Sequence, residues 1–221
     1  MEGKGKKRNR VILIIIAFLF SFQGSAFADS CYCLKKLEER YTHLNGLVLI
    51  YDRYIISSTM AMLGEAKQTD LAKGKIFLKP PCYIRIDQKE PEHESVLCDG
   101  KWIWWYIPEK RIVHKYSPES FAKEISILTS IFNGIKDIKK DFIISPQGKF
   151  TFVLKPNKNW QDIDRIEISA DKTCHRITEV KIYNLLGSIT CFKIKKEVSK
   201  EINDNLFTFI PPPDVKIIQE K

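Results

Sequence analysis

Leu97-Cys-Asp-Gly-Lys-Trp-Ile-Trp-Trp-Tyr-Ile-Pro-Glu-Lys-Arg-Ile-Val-His-Lys-Tyr116 reads as strand, turn, aromatic strand, turn and strand. Asp99-Gly100 supplies the φ > 0 turn chemistry of a tight hairpin, and Pro108-Glu109-Lys110 supplies a second turn. The stretch is therefore a β-meander. Its central strand alternates without becoming polar: Trp102, Trp104 and Tyr106 share one face, and Ile103, Trp105 and Ile107 share the other. A strand apolar on both sides must be covered twice, by core on one face and by a helix, a second sheet or a ligand on the other.

Upstream, Met1 to Arg10 holds five basic residues, Val11 to Phe22 is uncharged and apolar, and Ala26-Phe27-Ala28 follows. This is the pattern of a secretory signal peptide cut after Ala28, giving a leader of residues 1–28 and one domain over residues 29–221. The apolar run is shorter than the roughly 20 residues of a spanning helix. Cleavage removes five basic residues and one acid, so the net charge falls from +9 to about +5. That charge is spread along the chain, which argues against nucleic acid as a partner. The six cysteines, Cys31, Cys33, Cys82, Cys98, Cys174 and Cys191, allow up to three disulfides in an oxidising compartment. A turn near Glu90 would set Cys82 opposite residue 98 or 99, so Cys82 and Cys98 form the expected pair. Cys31 and Cys33 have no assigned partner. With four scattered histidines, no zinc-ligand spacing is present.

Leu34, Leu37, Tyr41 and Leu44 step at helical spacing and predict an amphipathic helix ended by Gly46. Leu47 to Ser57 reads as a strand, and Ser58 to Lys73 as either strand or loop. Short strands are expected at Lys75–Lys79 and, beyond the Pro80-Pro81 break, at Cys82–Asp87. Ser117-Pro118-Glu119 caps a second helix whose broad apolar face is Phe121, Ile125, Leu128, Ile131 and Phe132. Turn-punctuated strands then run from Phe142 to Val198, followed by a last one at Leu206–Ile210. The fold class is mainly β with helices.

Catalytic motifs are missing. The chain has no G-x-S-x-G, H-E-x-x-H, phosphate-binding loop or dinucleotide fingerprint. Cys174-His175 are neighbours that a strand would point to opposite faces. The expectation is a protein that is not an enzyme and holds no cofactor or metal.

Taken in order, the motifs resemble the outer-membrane lipoprotein carrier family, LolA. They are the export signal, the N-terminal amphipathic helix, Gly74-Lys-Ile-Phe-Leu-Lys-Pro80-Pro81, Ile84-Arg85-Ile86, Asp99-Gly100 before Trp104-x-Tyr106-x-Pro108, the Pro-initiated helix, Tyr183-Asn-Leu-Leu-Gly187 and Phe207-Thr-Phe209-Ile-Pro211-Pro212. The resemblance implies a half-open, curved antiparallel sheet with an apolar concave face under a helical lid. It implies a monomeric periplasmic carrier of lipoprotein acyl chains, loaded by an inner-membrane transporter and unloaded to an outer-membrane receptor. A membrane-tethered receptor or envelope sensor on the same half-barrel is the alternative, and an exported hydrolase the alternative of another class. The chain departs from the family in its six cysteines, in Asn184 where Asp is common, and at the basic latch between sheet and lid. That latch is Lys79 if the family proline is Pro80; if it is Pro81 the position is itself proline, and Arg85 is the other basic candidate.

On this reading the bulkier face of the aromatic strand, Trp102, Trp104 and Tyr106, points into the concave side beneath the second helix with Phe77 and Ile84 nearby. The convex face of a curved sheet offers large residues no obvious cover. A bulge would instead turn Ile103 and Trp105 inward.

Overall fold

The computed structural model describes residues 30–58, 68–81, 83–117, 123–134, 138–157, 160 and 162–220. The leader expected at residues 1–28 and the caps expected at Pro118 and Glu119 lie outside them. A first helix, α1, covers residues 30–42. Cys33, Leu37 and Tyr41, each four residues apart and so on one face, are fully buried. Five strands follow as a meander after β1 (Leu47–Ile56): β2 (Gln68–Lys79), β3 (Tyr83–Glu90), β4 (Glu94–Cys98), β5 (Ile103–Ile107) and β6 (Ile112–Tyr116). Helix α2 (Lys123–Asn133) leads to a second meander: β7 (Phe142–Pro146), β8 (Thr151–Pro156), β9 (Ile163–Ala170), β10 (Ile177–Asn184) and β11 (Ile189–Ser199). A short β12 (Lys216–Gln219) ends the chain.

All twelve strands form one sheet in the order β12-β6-β5-β4-β3-β2-β1-β11-β10-β9-β8-β7. Its edges, β12 and β7, do not meet, so the curved sheet stays open. Pairing is antiparallel except for β12, which runs parallel to β6. Strand β1 sits centrally, between β2 and β11.

The register fixes the faces. One row across the sheet is Leu49, Ile76, Ile86, Val96 and Trp105. Most of this row joins the core that also contains Leu37 and Tyr41 of α1 and Leu128, Ile131 and Phe132 of α2, so it lines the concave side. The neighbouring row is Val48, Phe77, Arg85, Leu97 and Trp104, and it faces the convex side.

This reverses the expected orientation of the aromatic strand. Ile103 and Ile107 are buried inward, whereas Trp104 and Tyr106 lie outward with Phe77. The side chain of Lys115 lies over both the Trp102 and Trp104 rings, at 3.8 and 5.0 Å from their centroids, so Trp102 shares that outer side. The cover thought to be missing is the C-terminal segment. Phe207 packs on Tyr83 at 5.5 Å between centroids, and Phe209 stacks on Trp104 at 5.4 Å and meets Tyr106 at 5.9 Å. The indole and phenol groups suit this half-wet surface, because each keeps a polar handle: the Trp104 Nε1–H donates to Asp99 at 3.0 Å.

Four other expectations change. Strand β2 begins at Gln68, in the stretch where strand and loop were both open. Ala72 and Gly74, small and inward, carried little strand signal; a Cβ on Gly74 would sit 2.3 Å from the Asp87 carbonyl oxygen, so only glycine permits that approach. Leu206–Ile210 is not a strand: Asp204–Phe207 is a 3-10 turn whose preceding Asn203 side chain accepts the Asn205 N–H, and an extended tail follows. Strand β12 was not anticipated, because four residues paired in parallel need no hairpin signal. Finally, Ile84 rather than Cys82 lies opposite Cys98, since the β3–β4 turn is centred on Pro91. Cys82 itself lies outside the described residues. Among the described residues a disulfide joins Cys33 of α1 to Cys174, just before β10.

Candidate functional site

Between the sheet and the start of α2 lies a cavity of about 370 Å³, toward the lower end of the range of small-ligand sites. Its apolar wall is Ile86 of β3, Val96 of β4, Trp105 of β5, Tyr116 of β6 and Phe192 of β11, with Ile125 of α2 as roof. Tyr51 and Arg53 of β1, Gln88 of β3 and Glu94 of β4 complete it. Every strand contribution follows from period two: residues 51 and 53, 86 and 88, and 94 and 96 are successive inward positions.

Beside it the concave side is packed by both the sheet and α2. Leu47, Leu49, Ile76 and Leu78 from the sheet meet Ile127, Leu128, Ile131 and Phe132 from α2, all essentially inaccessible to solvent. Tyr41 and Phe132 make an edge-to-face contact at 5.5 Å that joins the two helices. The expected lid residues therefore divide. Ile125 alone roofs the cavity; Leu128, Ile131 and Phe132 are locked into the core; Phe121 lies outside the described residues. Of the expected cavity residues, Ile84 is inward but belongs to the packed core, and Phe77, Trp102, Trp104 and Tyr106 are outward.

Neither latch candidate reaches the helices through the contacts seen among the described residues. Lys79 Nζ donates to the Ile202 carbonyl at 3.0 Å and pairs with Asp204. Arg85 binds the Asp87 carboxylate through Nε at 2.9 Å and the Leu206 carbonyl through Nη1 at 3.2 Å. Both side chains are on the convex face and hold the C-terminal segment there. The register explains this: Arg85 lies directly opposite the outward Phe77, and Lys79 is two residues beyond Phe77 along β2, on the same face.

The polar groups of the cavity are unevenly satisfied. Glu94 accepts the Trp105 Nε1–H at 3.0 Å, and Gln88 donates to the Glu92 carbonyl at 3.2 Å. Burial pushes the Tyr51 phenol up to about 12 against the pull of the Arg53 charge, so Tyr51 stays neutral. The Nε of Arg53 is buried and has no hydrogen-bond partner among the described residues. Tyr51, Arg53, Ile86, Gln88, Glu94, Val96, Tyr116 and Phe192 were not expected as site residues, and Trp105 was expected inward only through a bulge, which the unbroken register of β5 does not contain. Alternation along β1 and β5 was the signal that could have found Tyr51 and Trp105, once Ile103 rather than Trp104 was taken as inward.

Chemically, the site can enclose an apolar chain and offer one cation to it. No group of three His, Cys, Asp or Glu side chains able to hold a metal occurs among the described residues. No described helix is long and apolar enough to cross a membrane.

Residues 61–210 match the family described as outer membrane lipoprotein carrier protein LolA. Over 211 residues the chain is 25% identical to the outer-membrane lipoprotein carrier protein of Francisella tularensis subsp. novicida, spanning 94% of this chain and 97% of that protein. It is 21% identical over 192 residues to the protein of the same description from Histophilus somni, spanning 85% and 88%. Its fold is similar to that of an uncharacterized conserved protein from Thermus thermophilus, with a TM-score of 0.50 at 10% identity over 86% of this chain and 98% of that one.

Proposed function

The chain belongs to the outer membrane lipoprotein carrier family, LolA, and from that premise we propose that it binds lipoprotein acyl chains in the cavity roofed by Ile125. Its general role is that of a carrier rather than an enzyme. The proposed route runs in the periplasm, after removal of residues 1–28, from an inner-membrane transporter to an outer-membrane receptor. The observation that carries the reading is the apolar cavity itself, walled by Ile86, Val96, Trp105 and Phe192 and left open beside a packed core.

The physics is transfer of chain from water or bilayer to this wall. Burying acyl chain contributes about 0.8 kcal/mol per CH₂ group, so a modest length of chain suffices for capture and a modest competing contact suffices for release. Only the first turn of α2 faces the cavity, whereas the following turns are fixed by Leu128, Ile131 and Phe132. Enlargement for a longer or second chain therefore requires the start of α2 to move and leaves its C-terminal half in place.

The test compares Val96→Glu with Trp104→Glu by titration with a fluorescent palmitoyl probe, both variants being checked for folding by circular dichroism. Val96→Glu sets a charge on the cavity wall and is expected to weaken binding at least about tenfold, equivalent to about 1.4 kcal/mol. Trp104→Glu, on the convex face, is expected to bind as the parent does. Equal affinity of Val96→Glu and parent would refute the cavity reading.

A further inference from the structure

We infer that His114 of β6 is a positioning residue for this cavity and that the C-terminal strand β12 sets it in place: Glu220 holds His114, and His114 holds the walls Trp105 and Tyr116. The inference rests on the cavity reading above and names residues outside the lining that govern how well it grips a chain. Trp105 and Tyr116 line the cavity, whereas His114 does not. His114 stands directly opposite Trp105 across the β5–β6 pair, with ring centroids 5.3 Å apart at 32°. Two residues on along β6, and so on the same face, the Tyr116 ring lies 6.3 Å from the imidazole at 25°. The imidazole thus touches both aromatic walls.

Ring contacts alone let aromatic groups slide, because their energy is spread over many weak atom pairs. A hydrogen bond to a carboxylate is directional and fixes the ring that makes it. Here the His114 Nδ1–H donates to Glu220 Oε1 at 2.8 Å. Glu220 is anchored in turn by its backbone, whose N–H donates to the Lys115 carbonyl at 2.9 Å, while Ile218 of β12 faces His114 across the parallel pair. Trp105 is therefore held on its face by His114 and at its Nε1–H by Glu94, at 3.0 Å. Strand β12 is only four residues long, lies at the rim of the sheet and buries little of itself, so it adds little to the core. Its contribution is the mounting of Glu220. A wall already held in position takes up a chain without first being ordered, which favours binding.

The experiment pairs titration of the full mature protein with the fluorescent palmitoyl probe and fluorine NMR of its four tryptophans, labelled as fluorotryptophan. The Trp105 signal is assigned by Trp105→Phe, and every variant is checked for folding by circular dichroism. Glu220→Ala is expected to shift or broaden the Trp105 signal, to leave that of Trp160 in place, and to weaken probe binding about threefold to tenfold, the span of one aromatic contact. Glu220→Gln keeps an acceptor for the Nδ1–H and should retain most of the affinity; Ile217→Ala, at an exposed position of β12, should retain all of it. In a His114→Phe background Glu220→Ala should add no further loss, because the two residues act in series. An unmoved Trp105 signal or an unchanged affinity in Glu220→Ala overturns the inference and leaves the cavity standing. Losses that add in the double variant, or a Glu220→Gln as weak as Glu220→Ala, overturn it too, by showing that Glu220 serves only to dock the strand. A parent that binds no probe refutes the cavity reading, and the Trp105 signal alone then decides whether Glu220 positions the ring.

Discussion

The hydroxyl of Tyr41 in α1 donates to Glu197 Oε2 in β11 at 2.6 Å and at the same time accepts the backbone N–H of Ile177 at 2.9 Å. Arg40 holds the other oxygen of Glu197 through its Nε at 3.0 Å. The Glu197 side chain is only 1% exposed, so this charge survives burial only because α1 brings it hydrogen-bond donors from both Arg40 and Tyr41. Burial, followed by the Glu197 charge, pushes the Tyr41 phenol far above its ordinary value, which keeps the proton on the donor side.

Removing the hydroxyl in Tyr41→Phe leaves one buried carboxylate oxygen and one backbone N–H without partners. The expected loss is about 2–4 kcal/mol in urea unfolding, more than a surface hydrogen bond would give. Adding Glu197→Leu to that variant should recover part of the loss. A single variant within about 0.5 kcal/mol of the parent would show that α1 is not anchored through this contact.

Reduction of Cys33–Cys174 opens a link between residues 141 apart in sequence. The chain-entropy account puts its contribution at roughly 5 kcal/mol. Cys33→Ser with Cys174→Ser should therefore unfold at markedly lower denaturant, and peptide mapping of the oxidised parent should recover the two cysteines joined. Recovery of Cys174 joined to Cys82 or Cys98 would contradict the described pairing.

Partial burial pushes the Asp99 carboxyl up, but the Trp104 indole N–H and the backbone N–H groups of Trp102 and Lys101 outweigh it, so its pKa lies below the ordinary value. A depressed carboxylate stabilises the fold above its unfolded pKa of about 3.9 and loses that contribution as pH falls through the folded value. Asp99→Ala is expected to cost about 1–2 kcal/mol at neutral pH. The gap from the parent should shrink steadily below about pH 4, measured by denaturant midpoints across that range; a gap independent of pH would discard the charge argument.

Arg85→Ala removes the donor to the Leu206 carbonyl and the partner of Asp87. The C-terminal segment should then exchange its amides faster, visible by mass spectrometry in peptides covering residues 201–220, while α2 stays protected. Loosening of α2 with an unchanged tail would instead favour a latch between sheet and lid.

The meander and its turns were legible because alternation and Asp99-Gly100 are local signals. Which face of β5 turns inward was not legible, because it depends on Phe207 and Phe209, about a hundred residues away, supplying a convex cover. Bulk alone then misled: the side with three aromatic rings is the amphipathic side, and the side with two isoleucines is the core side. Cys33 lies four residues before Leu37 on the same helical face, so its burial was readable, yet its partner Cys174 is set by tertiary structure. Arg53 was invisible for a related reason. Next to Asp52 and Tyr54 it looks like an ordinary surface charge, until β2 and β11 close on either side and turn position 53 inward.

The central place of β1 fixes when the molecule can become complete. Leu47, near the start of the domain, faces Ser199 near its end, so the sheet has a pairing of long sequence separation at its middle rather than at its rim. Each wing can form by local hairpins, but joining them waits for β11 to emerge, and closing so long a loop carries an entropic cost that local contacts do not. A nascent chain lacking residues 189–199 would leave one edge of β1 bare and half of the core without a wall. The topology thus favours a chain whose two wings stay unjoined until residues 189–199 are free to pair with β1.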